Sequence, residues 1–350
     1  METIDFTKIT ACGECCVGCK KKDEGLCEGC IESDGRCREW AESGECPIHR
    51  CAQTHGVQFC GLCAKFPCDE LPKKIHWNPN VVEHLTELAN AYRLHKNRTS
   101  EINELNKNSW NKQAARYQAA ADFSYSEVDY GDTDLPTEKD LRLIGDVRGK
   151  RVLELGCGGA NCGISLAKQG ATVTCADISK EQISFAKENA KKENVDIQFV
   201  VSAMEEVVYD NEFDIVISMA AMMYVKDIES VFRNVSKSLK ENGIFVFSIN
   251  DPTFYSVAAK YLWNDPAIQQ SYFYSGEERW KWKDEDDFDF ISYRKPIYEY
   301  INSLISHNLS IAKFYQLKPD KEIETEEDKL EMLFPRMMVF KTIKTNLRKD

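Results

Sequence analysis

The chain has no apolar run approaching the ~20 residues that a membrane-crossing helix needs. Its opening, METIDFTKIT, has neither the basic start nor the apolar centre of an export signal, so the expectation is a cytoplasmic protein that makes no membrane contact. Basic charge is in short supply: 45 Lys and Arg stand against 57 Asp and Glu, a net charge of −12. That balance argues against a general polyanion-binding surface, and hence against nucleic acid as a partner. Residues 1–75 are no exception, with ten Lys or Arg against thirteen Asp or Glu. The run Lys20–Lys22 is answered at once by Asp23 and Glu24. No solenoid-type repeat is present. Large apolar residues are sparse before residue 75, so that segment lacks the means to fold on a core alone.

What is there points elsewhere. Hydrophobic and charged residues make up 43% and 29% of the 350 positions, as in soluble globular proteins, and the length suits two or three units. Twelve of the 15 cysteines fall between Cys12 and Cys68. They are Cys12, Cys15, Cys16, Cys19, Cys27, Cys30, Cys37, Cys46, Cys51, Cys60, Cys63 and Cys68, and four pairs are spaced Cys-x2-Cys. Paired thiolates at that spacing wrap a tetrahedral ion, and in a chain without an export signal metal binding is a better reading than a disulfide framework. Zinc is the first expectation and an iron–sulfur cluster the alternative, because Cys12-x3-Cys16-x2-Cys19 also suits a cluster.

The centre of the chain is RVLELGCGGANCGISLAKQGATVTCAD, residues 151–177. Arg151–Leu155 reads as a buried parallel strand, Gly156, Gly158 and Gly159 as a turn, residues around Ile164 as a helix stopped by Gly170, and Thr172–Ala176 as a second strand ending in Asp177. In such a βαβ unit the ligand crevice lies at the carboxyl ends of the strands. Asp177 follows Gly156 by 21 residues, where a carboxylate can accept from both ribose hydroxyls. A dinucleotide site would carry a third glycine at position 161, which is Asn161, and this chain has an acid, Glu154, two residues before the first glycine.

These residues resemble the first motif of the class I S-adenosylmethionine-dependent methyltransferases. The resemblance is strongest over 150–250, covers Trp110 to the C-terminus, and falls in the branch that acts on small molecules. It implies an enzyme with S-adenosylmethionine as its cofactor and a Rossmann-like α/β fold: a seven-stranded, mostly parallel sheet with helices on both faces. It implies cofactor contacts from Glu154, Gly156, Cys157, Gly158, Asp177, Ile178, Ser202, Ala203, Met204, Ser218 and Met219. Glu154 would hold the methionine amino group, and Ser202 stands where many relatives have Asp against the adenine. A leading helix with Trp110 and Tyr117, and Tyr130 beyond it, would face the acceptor. The motif of amino-nitrogen methyltransferases on adenine or glutamine is absent after the fourth strand, where the chain reads SMAAMMY. Tyr224, Asp251 and Tyr255 are the catalytic candidates.

Residues 10–75 resemble a family of small cysteine-rich domains without assigned activity, most closely at Phe59-Cys60-x2-Cys63-x2-Phe66-Pro67-Cys68. The resulting division is a metal-stabilised cysteine-rich domain over 1–75, a helical connector over 76–108 with its hinge at Lys96–Asn108, and a methyltransferase domain over 109–350. Within the last, residues 251–300 hold 14 of the chain's 37 aromatic residues and read as a lid or an insertion. The leading expectation is methyl transfer to a small molecule. A protein or RNA recruited by the cysteine-rich module, or a non-catalytic scaffold, are the alternatives.

Overall fold

The computed structural model describes residues 4–15, 20–36, 44–75, 77–120, 124–131, 134–254, 271–281, 290–319, 329 and 332–345. The chain divides into two compact units, Met1–Ser100 and Glu101–Asp350.

The second unit is built on a seven-stranded sheet. Its strands are β1 (Arg151–Leu155), β2 (Thr172–Asp177), β3 (Ile197–Val201), β4 (Phe213–Ser218), β5 (Leu239–Asn250), β8 (Leu309–Leu317) and β9 (Met337–Lys344), in the order β3-β2-β1-β4-β5-β9-β8. The first five pair in parallel, and β9 runs antiparallel between β5 and β8. β1 and β4 are buried along nearly their whole length, as their predominantly apolar sequences suit strands covered on both faces. The connections are helices: α3 (Asn161–Lys168), α4 (Lys180–Lys192) and α5 (Ile228–Ser238), with α6 (Ile297–Ser306) ahead of β8. Ser179 caps α4 by accepting from the Gln182 amide at 3.1 Å, and Asp227 caps α5 by accepting from Ser230 at 3.1 Å. Gly170, at φ +95°, turns the chain out of α3. Strand order reverses between β1 and β4, and this reversal opens the crevice.

Two apolar layers enclose the sheet. One gathers Val152, Ile164, Val173, Ile183, Ile215 and Val246; the other gathers Leu153, Val216, Phe232, Phe245, Phe247 and Phe340. In the second layer Phe247 stacks on Phe245 at 4.8 Å and on Phe340 at 4.9 Å.

Helix α2 (Val81–Ala120) contributes to both units. The polar stretch Lys96–Asn108 was expected to be a hinge, yet it is continuous helix. It contains no glycine or proline, and its Asn103 and Asn106 side chains bond to Glu205 and Ile291 of the second unit. Asn106 holds both the amide and the carbonyl of Ile291 at 2.9 Å. Those bonds anchor the hairpin β6 (Gly276–Trp280) and β7 (Phe290–Arg294), which forms a sheet of its own and is what the structure describes of the aromatic-rich stretch. Residues 255–270 and 282–289 of that stretch lie outside the described residues.

The first unit has more core than its composition suggested. Ile9, Ile48, Phe59, Leu71 and Ile75 pack with Val81, Leu85 and Leu88, and Tyr92 meets Phe6 and Phe59 edge-on at 5.2 and 5.8 Å. Much of the apolar surface that residues 1–75 lack comes from α2, beyond residue 75.

Ahead of β1, the Glu138 carboxylate accepts from the amides of Leu143, Ile144 and Gly145 at 2.8–2.9 Å and from the Tyr130 hydroxyl. Four donors on one carboxylate fix the segment that delivers the chain into the sheet. Glu138→Ala should lower unfolding free energy by about 2–4 kcal/mol, because charge-assisted bonds are lost and their donors are left unpaired. Thermal and urea melts check this; a loss below about 0.5 kcal/mol would show that water replaces the carboxylate without cost.

Candidate active site

The crevice holds a cavity of about 610 Å³, a size suited to a small organic ligand. Its floor is the turn after β1. Gly156 takes φ +70°, and a Cβ there would sit 2.4 Å from Met204 Cε and 2.5 Å from Ala221 Cβ, so the backbone comes as close to its neighbours as only glycine allows.

Glu154, at the end of β1, is buried and accepts from the Gly163 amide at 2.9 Å and the Cys175 thiol at 3.3 Å. Burial pushes its pKa up to about 8, above the usual carboxylate range, although both donors pull the other way. Gly163 makes room for it: a Cβ there would lie 2.6 Å from Glu154 Oε2. Asp177, at the end of β2, accepts from the Gly158 amide at 2.9 Å and the Ser179 amide at 2.8 Å. Burial raises its pKa too, against those amides. Each carboxylate oxygen has a second lone pair, so both acids can still accept from a ligand.

The C-terminal part of α2 covers this floor. Asn111 accepts from the Ser179 hydroxyl at 2.8 Å, and Gln118 donates to Gln182 at the same distance. Trp110 meets Tyr117 and Tyr224 edge-on, both at 5.5 Å, and Phe290 at 4.9 Å; Phe290 in turn stacks on Trp280 at 4.6 Å. The turn after β4 supplies Met219, Ala220, Ala221, Tyr224 and Val225. Ala220 sits at φ +49°, costly for a residue with a Cβ, and its amide is held by Ser248 Oγ at 2.9 Å.

Of the cofactor candidates, Glu154, Gly156, Cys157, Gly158, Asp177, Ile178, Ala203, Met204 and Met219 line the cavity, as do Trp110, Tyr117 and Tyr224. Four candidates lie elsewhere among the described residues. Ser202 is half-buried, with its hydroxyl on the Ala203 carbonyl at 3.2 Å. Ser218 is enclosed within β4. Tyr130 is fully buried in the core, with its hydroxyl on Glu138. Asp251 is fully buried as well, accepting from Thr253 at 2.8 Å and Gln316 at 2.7 Å, which ties the end of β5 to β8. Tyr255 lies outside the described residues.

The cavity also takes residues that sequence reasoning passed over. Asn103 and Asn106 share one face of α2 with Trp110 and Tyr117, at spacings of three, four and seven that could have revealed them. Asp129 reaches Asn161 Nδ2 at 2.9 Å. Glu205, three residues past Ser202, was hidden among other acids on a short turn.

In the first unit, Cys51, Cys60, Cys63, Cys68 and His55 line a second, small cavity of about 30 Å³. Burial, joined by the neighbouring thiols, pushes Cys60 up to about 12. Among the described residues no group of three or more His, Cys, Asp or Glu converges to hold a metal ion, so the zinc and iron–sulfur expectations find no formed site there. Cys16, Cys19 and Cys37 lie outside the described residues. Among the described residues no helix is long and apolar enough to cross a membrane.

Residues 146–286 match the family model for a methyltransferase domain. A ubiquinone biosynthesis O-methyltransferase from Pelagibacter ubique (strain HTCC1062) is 33% identical over 117 residues, 32% of this chain and 49% of that protein. A protein of the same name from Rhizobium leguminosarum bv. trifolii (strain WSM2304) is 36% identical over 114 residues, 32% of this chain and 45% of that one. The chain spans about half the length of these relatives. A crystal structure from Listeria monocytogenes, of a protein classed as an S-adenosylmethionine-dependent methyltransferase, superposes with a TM-score of 0.50 at 22% identity, covering 59% of this chain and 96% of that one; it speaks for the fold. The stretch from residue 146 to residue 286 is therefore similar in sequence to a methyltransferase domain, and the sheet it contributes to has the fold of that Listeria monocytogenes structure.

Proposed function

We propose that the chain transfers the methyl group of S-adenosylmethionine to a small-molecule acceptor. The observation that carries this reading is the pair of acids, buried Glu154 and half-buried Asp177, that line, with the glycine turn, a cavity large enough for cofactor and acceptor together. When bound, the cofactor supplies a methyl group already made electrophilic by its sulfonium. The chain's part is to position and to exclude water. Asp177 receives the ribose hydroxyls, Met204 and Ile178 take the adenine, and Glu154 takes the amino group. Trp110, Tyr117 and Tyr224 enclose the acceptor. The matched relatives are named for O-methylation in a biosynthetic route, which favours a small molecule over a macromolecule.

Asp177→Ala should weaken S-adenosylhomocysteine binding by about 2 kcal/mol, roughly 30-fold, through loss of charge-assisted bonds to the ribose. Calorimetry measures it, and an unchanged dissociation constant would remove Asp177 from that role.

Glu154 makes binding proton-linked. In the free protein it is protonated below its pKa of about 8. An ammonium beside it favours the ionised form, so binding at neutral pH expels a proton and affinity rises as pH climbs toward 8. The calorimetric enthalpy at pH 7 should differ between phosphate and Tris buffers by the heat of that proton. Glu154→Gln should abolish the difference; if it persists unchanged, the proton comes from another group.

A second reading rests on the gathering of Cys51, Cys60, Cys63 and Cys68 around one small cavity. Their thiolates, closing by small side-chain rotations, would hold a single zinc ion in a structural role. Elemental analysis of the purified chain should find one equivalent of zinc that Cys60→Ser removes. A metal-free chain with an unaltered melting temperature would end this reading.

A further inference from the structure

The identity of the acceptor is written in the charge of the cavity wall. Among the described lining residues there are five carboxylates, Glu127, Asp129, Glu154, Asp177 and Glu205, and no Lys, Arg or His. An anionic acceptor entering this wall meets repulsion from every charged group in it, and a cation meets attraction. Glu154 and Asp177 are taken up by the cofactor in the reading above, on which this inference rests. Glu205 is not.

Glu205 lines the same cavity as Trp110 and Tyr224. Asn103, on the same face of α2 as Trp110, donates to its Oε2 at 3.4 Å, a long bond. Its Oε1 is shielded from solvent and makes no hydrogen bond of good geometry among the described residues, although the backbone amides of Glu205 and Asp227 lie near enough to the carboxylate to favour its ionised form. A buried carboxylate oxygen without a partner costs free energy, and a ligand that donates to it recovers that cost. Two ionisable neighbours act on Glu205. Asp227, at the cap of α5, raises its pKa, and Lys295, buried with its Nζ on the Val225 carbonyl at 3.2 Å and 4.7 Å over the Tyr293 ring, is influenced by it in turn. Lys295 does not line the cavity, so a ligand there meets the Glu205 carboxylate and not the ammonium of Lys295, although the two charges do attract each other. Trp110 and Tyr224 add ring faces and edges that suit an alkylammonium.

We propose that the acceptor is an amine that arrives as an ammonium, is held by Glu205 beside Trp110 and Tyr224, and gives its proton to Glu205. The proton passes from nitrogen to the carboxylate. The lone pair this exposes forms the new nitrogen–carbon bond with the methyl group as the carbon–sulfur bond breaks, and that bond's electron pair stays on sulfur. The products are the N-methylated ammonium and the neutral thioether, and the proton on Glu205 returns to water. Burial holds Glu205 near 7, the range in which a carboxylate can take and release a proton at neutral pH. Poorly hydrated aromatic surroundings loosen the ammonium's own hold on its proton.

The test uses the full chain saturated with S-adenosylhomocysteine and three probes of one shape: phenethylamine, 2-phenylethanol and 3-phenylpropionate. By calorimetry the amine should bind about tenfold or more tighter than the alcohol, and the anion weakest. Glu205→Gln should erase the preference for the amine while leaving S-adenosylhomocysteine affinity within about threefold. The proposal is overturned if the amine fails to bind, if the alcohol or the anion equals it, or if the preference survives in the variant. It is also overturned if Glu205→Gln costs S-adenosylhomocysteine as much as the amine, since Glu205 would then serve the cofactor. Failure of the wild-type chain to bind S-adenosylhomocysteine would instead remove the methyltransferase reading itself.

Discussion

The crevice depends on one carboxylate shared between two strands. Asp177 ends β2, yet one of its oxygens holds the Gly158 amide of the turn after β1, and the other holds the Ser179 amide at the start of α4. It adds a side-chain tie to a glycine turn whose Gly156 and Cys157 amides already donate to the Ala176 carbonyl of β2, at 2.8 and 3.1 Å. The same geometry brings Ser179 under Asn111 of α2, and so hangs the covering helix on the end of β2. A residue placed to meet a ligand is thereby also a keystone of the apo site, and its two roles must be separated by binding and melting measurements made side by side.

Burial of acids is the second theme. Glu154, Asp177 and Glu205 all have raised pKa values, with loss of hydration the leading cause each time. A protein gains no stability from such an arrangement, because ionised carboxylates far from cations are expensive. The cost makes sense where a positively charged ligand completes the site. S-adenosylmethionine brings an ammonium and a sulfonium, and an amine acceptor brings a further positive charge. On the proposed function, the raised pKa values belong to a site whose neutralising charges arrive largely with its ligands.

The parallel strands of the sheet were legible because they are short runs rich in β-branched and other apolar residues, bounded by glycine, acid or serine. Arg151–Leu155, Ile197–Val201 and Phe213–Ser218 needed no tertiary information. The antiparallel pair β8 and β9 was readable for the same reason. The glycine turn and its two acids could be named from spacing alone. What escaped was set by contacts distant in sequence. Asn106 reaches Ile291 across 185 positions, and its polarity suggested a hinge only because the partner could not be seen. Tyr130 looked like a pocket aromatic until Glu138 claimed its hydroxyl. Asp251 looked catalytic after the fifth strand, but Gln316 and Thr253 consume its oxygens.

In the first unit a strong local signal drew attention away from a distant one. Cysteine spacing is local and strong, and it suggested that metal must supply what apolar residues did not. The apolar partners were there, on a helix that begins at Val81. Phe59 makes the point: it lies within the cysteine-rich motif, is fully buried, and packs edge-on against Tyr92 of that helix. The thiols around Cys60 therefore sit on a frame that already has a core. A metal bound there would be a local clamp on the short turns that carry Cys60, Cys63 and Cys68, and its removal would loosen those turns before it unfolded the unit. That ordering follows from where the buried surface lies, since the apolar cluster is anchored by α2 and the thiol cavity lies among the turns before it.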